Sequence, residues 1–485
     1  MAEPNSIKQP HAIMVEFLFQ GHITPFINFA IALASKGCTV TYVQTEFNQH
    51  LISKARAADP HEPEPESGPD IRFTTISDGF PLDFDRDLNF VEFYESILRD
   101  FPARVDEFVG KILEPNSPSF LIADSNYLWL SEVAAKYDLP AVSFWASPAL
   151  RLSIGYHLEL FKEKGLFSSY GDYNADIHDH IPGVKPTDVA DFITYFRDLD
   201  DEMLPPILRY GIMKAHLEVR KADFILYNTV QELEIETLSA LDHELPSYAV
   251  GPTNFLPHLI TKVPFISRRS LKHETDCAEW LESKPPGSVL FVSFGSVAQA
   301  SKQVIWEIAR GIQKSRVNFV WVFHPDVVVD DGSGTHDNDL PPGFESDTVD
   351  RGLIVPWVNQ CKVLSNPAVG GFLTHCGWSS ILESIWFGVP MLCYPIFMDQ
   401  PTNRNMVVNE WKIGINLCDE PPISGEEVAR KVGRLMCSDE LRCEVKKTSE
   451  IVHNAVAANG SSDRNIDRLL VDLKEKIRTK RNKDV

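Results

Sequence analysis

Apolar residues fall in short runs, and the runs recur in a fixed order. Residues 11–19, HAIMVEFLF, are apolar and β-rich; PFINFAIALASKG, opening at Pro25, carries apolar residues at helical spacing and stops at Gly37; TVTYVQT returns to strand character. The same order of strand, helix and strand begins again at residue 286, with PGSVLFVSFGS, then QVIWEIARGIQKS, then NFVWVFH. Runs that are apolar throughout belong to strands buried on both faces, so the pattern predicts an α/β chain with two doubly wound parallel sheets, each covered by helices. Between them, YAVGPTNFLPHLITKVP mixes Gly and Pro without a period. The expected organisation is a first domain over 1–250, a linker over 251–265, a second domain over 266–460, and a C-terminal helix with a basic tail over 461–485. Ile466, Leu469, Leu470, Leu473 and Ile477 share one face of that last helix, which predicts that it packs back on the body.

A third strand-to-helix junction concentrates polar chemistry. In GFLTHCGWSSILESIWFGVP, residues 371–390, the spacing predicts a strand up to His375, a sharp turn at Gly377, a helix from Ser379 or Ser380 to Gly388, and a further strand. The first turn of a helix that follows a parallel strand presents unpaired N–H groups, a natural seat for an anion. Ser380 and Glu383 also match a capping box, His375 an ordinary strand-end histidine, and Cys376 a small packed hydrophobe. On spacing alone these readings stand beside a phosphate site.

Composition narrows the classes. The chain has 485 residues, enough for more than one core, and a formal charge of -22 that repels nucleic acid and anionic membrane surfaces. Its 8 cysteines include no C-x-x-C pair, which speaks against a disulfide framework or a zinc site and fits a reducing cytoplasm. The N-terminal apolar run lacks a basic flank and a cleavage site and is read as a first buried strand, and no apolar run reaches the length of a membrane span. The acidic stretches 58–70 and 326–343 are expected to be exposed connectors. The triplets Asp83-Phe84-Asp85 and Asp337-Asn338-Asp339 end no convincing buried strand, so no metal is expected. The aromatic stretch 143–161 is read as core, and Asn459-Gly460-Ser461 as a chance match to a glycosylation acceptor.

The residues around the junction decide between its readings. From Trp357 to Gln400 the chain reads WVNQCKVLSNPAVGGFLTHCGWSSILESIWFGVPMLCYPIFMDQ, which resembles the signature box of the plant-type, UDP-sugar-dependent glycosyltransferases of family 1. The resemblance implies Rossmann-like domains facing across a cleft, the GT-B architecture. It assigns Trp357 to stacking on the uracil, Gln360 and Glu383 to the ribose, His375 and Ser380 to the diphosphate, and Asp399 and Gln400 to the sugar hydroxyls. Ser296, in the SFGS turn, resembles a further diphosphate contact, and Gly377, Trp378 and Ser379 complete the expected donor set. A terminal Gln resembles the glucose-using members, so UDP-glucose is the expected donor.

The same resemblance extends to the first domain. FQGHITPF matches the family's Gly-His-x-x-Pro pattern and puts His22 at the general base, while FLIADSNYLW puts Asp124 at its partner. A histidine of ordinary pKa, about 6.5, is suited to take a proton from an attacking hydroxyl, and a carboxylate behind it holds the ring and stabilises the imidazolium. Without the resemblance, His22 reads as a strand-end histidine and Asp124 as a helix N-cap. The implied reaction is a metal-independent, inverting transfer of a hexose from the UDP-sugar to a hydroxyl or carboxyl of a small lipophilic acceptor. A nucleotide-sugar-binding protein without efficient transfer is the alternative, and a nicotinamide oxidoreductase is disfavoured because neither strand-opening loop carries G-x-G-x-x-G. Three positions depart from the family pattern: Asn359 stands for its usual Pro, Asn366 for its His and Ser379 for its Asn. The first two are expected to be tolerated, the third to bear on donor affinity.

Overall fold

The computed structural model describes residues 9–57, 71–86, 88–114, 117–163, 181–185, 205–243, 246–257, 270–296, 300–324, 327–328, 340–396 and 398–481. The stretch 58–70, most of 326–343, and the triplet Asp337-Asn338-Asp339 lie outside them. The chain divides into two compact units, Met1–Leu271 with Asn454–Val485, and Lys272–His453.

The first unit is built on a parallel sheet of β1 (His11–Val15), β2 (Thr39–Thr45), β3 (Ile71–Ile76), β4 (Ser119–Asp124), β5 (Ala141–Trp145), β6 (Phe224–Tyr227) and β7 (Ser247–Ala249). Among the described residues their order is β3-β2-β1-β4-β5-β6-β7. The order reverses between β1 and β4, which run in register from His11 opposite Ser119 to Val15 opposite Ala123. β1 and β4 are buried along nearly their whole length, as uninterrupted apolar runs require. The stretch 143–161 is core: Phe144, Trp145, Leu152, Ile154 and Leu158 are all at most 1% exposed.

Two expectations are corrected here. The first strand ends at Val15 rather than running to Phe19, and the helix begins at Gln20 rather than Pro25. The Phe19 carbonyl accepts from both His22 and Ile23, at 2.8 and 3.0 Å. That closes a first turn before the missing N–H of Pro25 could interrupt the helix.

The second unit repeats the plan with β8 (Val289–Ser293), β9 (Asn318–Val322), β10 (Gly352–Val355), β11 (Val369–Thr374), β12 (Met391–Cys393) and β13 (Gly414–Asn416). The described strands are ordered β10-β9-β8-β11-β12-β13, so the reversal lies between β8 and β11. After β8 the helix Lys302–Ser315 is capped by Ser301, whose hydroxyl accepts the Val304 N–H, a contribution of about 1 kcal/mol. Its apolar face, Ile305, Ile308, Ala309 and Ile312, joins Leu290, Val292, Trp321 and Leu373 in the core.

The C-terminal helix Ser461–Arg481 belongs to the first unit. Ile466, Leu469, Leu470, Leu473 and Ile477 are buried as their spacing predicts. Ser462 donates to the Gly251 carbonyl and Asn465 to that of Ala249, at 2.6 and 2.9 Å. The basic end is anchored by more than its helix dipole: Lys476 pairs with Asp223 at 2.6 Å and Lys480 donates to the Leu139 carbonyl at 2.8 Å. Ser461, which would complete the glycosylation acceptor, is 5% exposed and donates to Glu232. No helix among the described residues is long and apolar enough to cross a membrane.

One buried histidine ties the first unit's stability to pH. His216 is 1% exposed, donates from Nδ1 to the Ile212 carbonyl at 2.8 Å, and packs against Trp145. Burial, reinforced by the positive charge of Arg151, lowers its pKa to about 3. The unfolded chain, with an ordinary value near 6.5, takes up the proton first, so stability is lost as the pH falls below that value. Urea unfolding should show the advantage of wild type over His216→Phe shrinking by about 2 kcal/mol between about pH 7 and about pH 5. A constant advantage across that window would contradict the assignment.

Candidate active site

In an open parallel sheet the segments that leave two neighbouring strands at the order reversal run to opposite faces, and the gap at their carboxyl ends is where side chains can meet a ligand. In the first unit that gap lies beyond Val15 and Asp124. From Phe19 the chain enters its helix, and His22 stands on the first turn. His22 Nδ1 lies 2.8 Å from Asp124 Oδ2. Asp124 is fully buried, and its other oxygen accepts the Asn126 N–H at 3.0 Å. With Nδ1–H directed at the carboxylate, Nε2 carries the lone pair. The His22 side chain is 24% exposed, and Phe17 meets its ring edge-on at 5.4 Å. The imidazole and the carboxylate are thus in hydrogen-bond contact across 102 residues of sequence. The N-cap reading of Asp124 does not hold, since the helix that follows begins at Leu130 behind Trp129.

The second unit presents the other group at its own reversal. The helix after β11 runs Trp378–Trp386 with Gly377 as N-cap, so it starts one to two residues before the position expected from sequence. Ser380 is therefore already inside the helix, and the capping box does not form there. Instead Gln360 Nε2 donates to Ser380 Oγ at 2.9 Å and to Glu383 Oε2 at 2.7 Å. Three residues assigned by the resemblance are joined by one amide. Gln360 itself opens the short helix Gln360–Leu364, whose N-cap, Asn359, accepts the Lys362 N–H at 3.0 Å. Asn366 accepts the Ala368 N–H at 2.9 Å in the turn before β11. These two departures from the family pattern, Asn359 and Asn366, therefore satisfy local backbone donors.

His375 leaves β11 between two glycines. A Cβ placed on Gly295 or Gly377 would lie 2.6 or 2.4 Å from its Nε2, so the ring needs both to be glycine. Burial lowers its pKa to about 4, outweighing the opposing pull of Asp399, and the imidazole is neutral near pH 7. Ser296 follows Gly295 in the turn after β8, at the same end of the sheet as His375. Cys376 has φ 67°, is fully buried, and burial pushes its thiol well above the ordinary value. It is a packed, protonated side chain rather than a nucleophile. Trp378 is 4% exposed and lies against Trp411 at 6.2 Å, while Ser379, beside it on the first turn, is half-buried.

The end of the signature stretch is engaged internally. Asp399 Oδ2 accepts from Asn403 Nδ2 at 2.9 Å, and the same Asn403 amide donates to the Cys376 carbonyl at 3.0 Å. Gln400 is 4% exposed and its Oε1 accepts the Ile396 N–H at 2.8 Å. These contacts hold the loop after β12 against the end of β11. Around Trp357 the structure adds residues that the sequence did not single out. Lys272 Nζ lies 5.4 Å from the indole centroid, Thr275 donates its amide to the Trp357 carbonyl at 2.8 Å, and Glu274 accepts from Asn359 at 3.3 Å. The stretch LKHET that supplies them has neither period nor motif. Asp85, from the first D-x-D triplet, accepts the Leu88 N–H at 2.8 Å. Among the described residues no group of three or more His, Cys, Asp and Glu is placed to hold a metal ion.

Comparison with known proteins places this geometry. A family model described as UDP-glucoronosyl and UDP-glucosyl transferase matches residues 207–455. UDP-glycosyltransferase 86A1 of Arabidopsis thaliana is 45% identical over 483 residues, covering 98% of this chain and 96% of that protein. A 7-deoxyloganetin glucosyltransferase of Gardenia jasminoides is 34% identical, covering 96% of this chain and 98% of that protein. Among solved structures, Medicago truncatula UGT71G1 complexed with UDP-glucose superposes with a TM-score of 0.74 at 25% identity, covering 96% of this chain and 98% of that one. A ugt transferase from Siraitia grosvenorii in complex with UDP shares the fold, with a TM-score of 0.72 at 23% identity, covering 96% of this chain and 100% of that one. With its two doubly wound sheets of GT-B type and similarity over nearly its whole length, the chain belongs to the plant-type UDP-glycosyltransferases of family 1.

Proposed function

We propose that this enzyme transfers glucose from UDP-glucose to a hydroxyl or carboxyl group of a small lipophilic acceptor, with inversion at the anomeric carbon and without a metal ion. The observation that carries the reading is the 2.8 Å bond between His22 and Asp124, a pair for which a protein that only binds nucleotide sugars has no use. His22 Nε2 takes the proton of the acceptor hydroxyl as its oxygen attacks the anomeric carbon. The new C–O bond forms on the face opposite UDP, the bond to the diphosphate oxygen breaks, and the α-linked donor yields a β-glycoside. Asp124 keeps Nδ1–H directed away from the substrate and stabilises the imidazolium that results.

UDP leaves with developing negative charge. His375, Ser380, Ser296 and the N–H groups at the start of the Trp378–Trp386 helix are the proposed partners of that charge, each donor contributing about 3 kcal/mol where oxyanion-type magnitudes apply. As a neutral ring His375 acts there as an N–H donor, not as a cation. Trp357 offers a planar face to the base, and the amide that joins Gln360, Ser380 and Glu383 orders the side chains assigned to the ribose. Asp399 and Gln400 serve the sugar through whichever of their atoms the loop contacts leave. The names of the relatives, which include a glucosyltransferase and a structure complexed with UDP-glucose, support glucose as the donor sugar. All eight cysteines are free thiols, which suits a cytoplasmic enzyme.

Two measurements test the reading. UDP release from UDP-glucose against a panel of phenols, alcohols and carboxylic acids should survive EDTA and fall by a factor on the order of 10² or more in His22→Ala, with UDP-glucose affinity unchanged. Loss of activity in EDTA, or retention in the variant, would contradict it. Gly377→Ala, whose new Cβ would lie 2.4 Å from His375 Nε2, should displace the imidazole and weaken UDP binding in calorimetry by roughly tenfold, the cost of about one good hydrogen bond. Unchanged affinity would remove His375 from the diphosphate.

A further inference from the structure

The ladder between β1 and β4 ends at Val15 and Ala123, short of both members of the histidine–aspartate pair. The amide of Ser125 donates to the Phe144 carbonyl of β5 at 2.9 Å, so β4 stays paired with β5 past the point where its register with β1 ends. The carbonyl of Glu16, the first residue past β1, is met by a side chain: Tyr127 Oη donates to it at 2.9 Å.

Tyr127 is also linked to both members of the pair, to Asp124 through its backbone and to His22 through Phe17. Its amide donates to the Asp124 carbonyl at 3.0 Å. Its ring meets Phe17 edge-on at 5.2 Å, and Phe17 in turn meets the His22 imidazole edge-on at 5.4 Å. Phe101 stacks on the same ring at 5.5 Å, and the residue is 4% exposed. One rigid side chain therefore bridges the turn that carries Asp124 and the segment that leads to His22.

We infer that Tyr127 is a positioning residue for transfer: its phenol ties the ends of β1 and β4 together where the backbone ladder has stopped, and so fixes the separation of His22 and Asp124. The inference rests on the proposed role of His22 as the base. Tyr127 is no proton carrier, because burial, with the negative charges of Asp124, Glu16 and Asp78 around it, pushes the phenol well above its ordinary pKa and keeps it a donor.

Tyr127→Phe keeps the ring and removes only the bond to Glu16. The kcat for acceptor-dependent UDP release should fall by roughly tenfold or more, since displacements well under 1 Å at a base are costly. The KM for UDP-glucose should stay within about twofold, and the number of UDP-glucose sites per chain, counted by calorimetry, should not change. Phe17→Leu supplies a second arm, as it removes the ring between Tyr127 and His22, and should shift kcat in the same direction. Val40→Ala, in the core of β2, provides the comparison for simple destabilisation. The inference is overturned if Tyr127→Phe keeps kcat within about twofold of wild type while His22→Ala is inactive, whatever the effect of Phe17→Leu. It is equally overturned if their loss of kcat is matched by an equal loss of UDP-glucose sites, or reproduced by Val40→Ala at equal thermal stability. If His22→Ala itself keeps wild-type kcat, the base assignment fails and this inference fails with it.

Discussion

A parallel sheet whose strand order reverses must contain one pair of neighbours whose following segments depart to opposite faces, and the pairing of His22 with Asp124 depends on that single gap. Right-handed crossovers leave no other arrangement for β1 and β4. Backbone hydrogen bonds hold the two strands in register as far as Val15 and Ala123, and the residues just past the ladder, Asp124 and the turn to His22, are presented side by side. Neither side chain needs a long reach, and the buried carboxylate is satisfied by the imidazole and the Asn126 amide. A buried charge that has both partners can be kept at low cost, whereas one that lost the imidazole would be strongly destabilising. The bond that orients the ring thus also makes the burial of Asp124 tolerable.

The second unit repeats the topology with different side chains at its reversal. At its reversal, between β8 and β11, Gly295 and Gly377 in the following segments close on His375 from two sides. Here the helix begins as soon as the strand ends, with Gly377 as its cap, so no capping side chain covers its first turn. Ser380 and Glu383, released from any capping duty, are bound to Gln360 on a separate helix. The neutral imidazole of His375 beside this helix turn is the arrangement from which the proposed diphosphate seat is argued.

The fold was legible in the sequence because strands of parallel sheets are apolar along their whole length, and the two repeats of strand, helix and strand gave both units. The signature stretch and the Gly-His-x-x-Pro and Ala-Asp segments made the candidate residues legible by resemblance, and the structure brings His22 to Asp124 and Gln360 to Ser380 and Glu383. What stayed hidden depends on contacts that no local pattern encodes. The early start of the helix at Gln20 turns on one carbonyl, that of Phe19, accepting two amides ahead of Pro25. The internal use of Gln400 depends on the Ile396 amide coming round to meet it. Lys272, Glu274 and Thr275 reach Trp357 and Asn359 across about eighty residues of chain, and Tyr127 reads as one more aromatic in a core-forming run.

The proposed mechanism requires the bond across the β1–β4 gap to set the working tautomer of His22. Asp124→Asn tests it most directly, because the amide keeps the shape of the carboxylate while removing its charge and its fixed acceptor role. With UDP-glucose and a responsive acceptor, kcat should fall by a factor on the order of 10³ or more, with UDP-glucose affinity unchanged and the fold intact by circular dichroism. A variant that turns over within about tenfold of wild type would contradict it, and the base would have to be sought elsewhere than at His22.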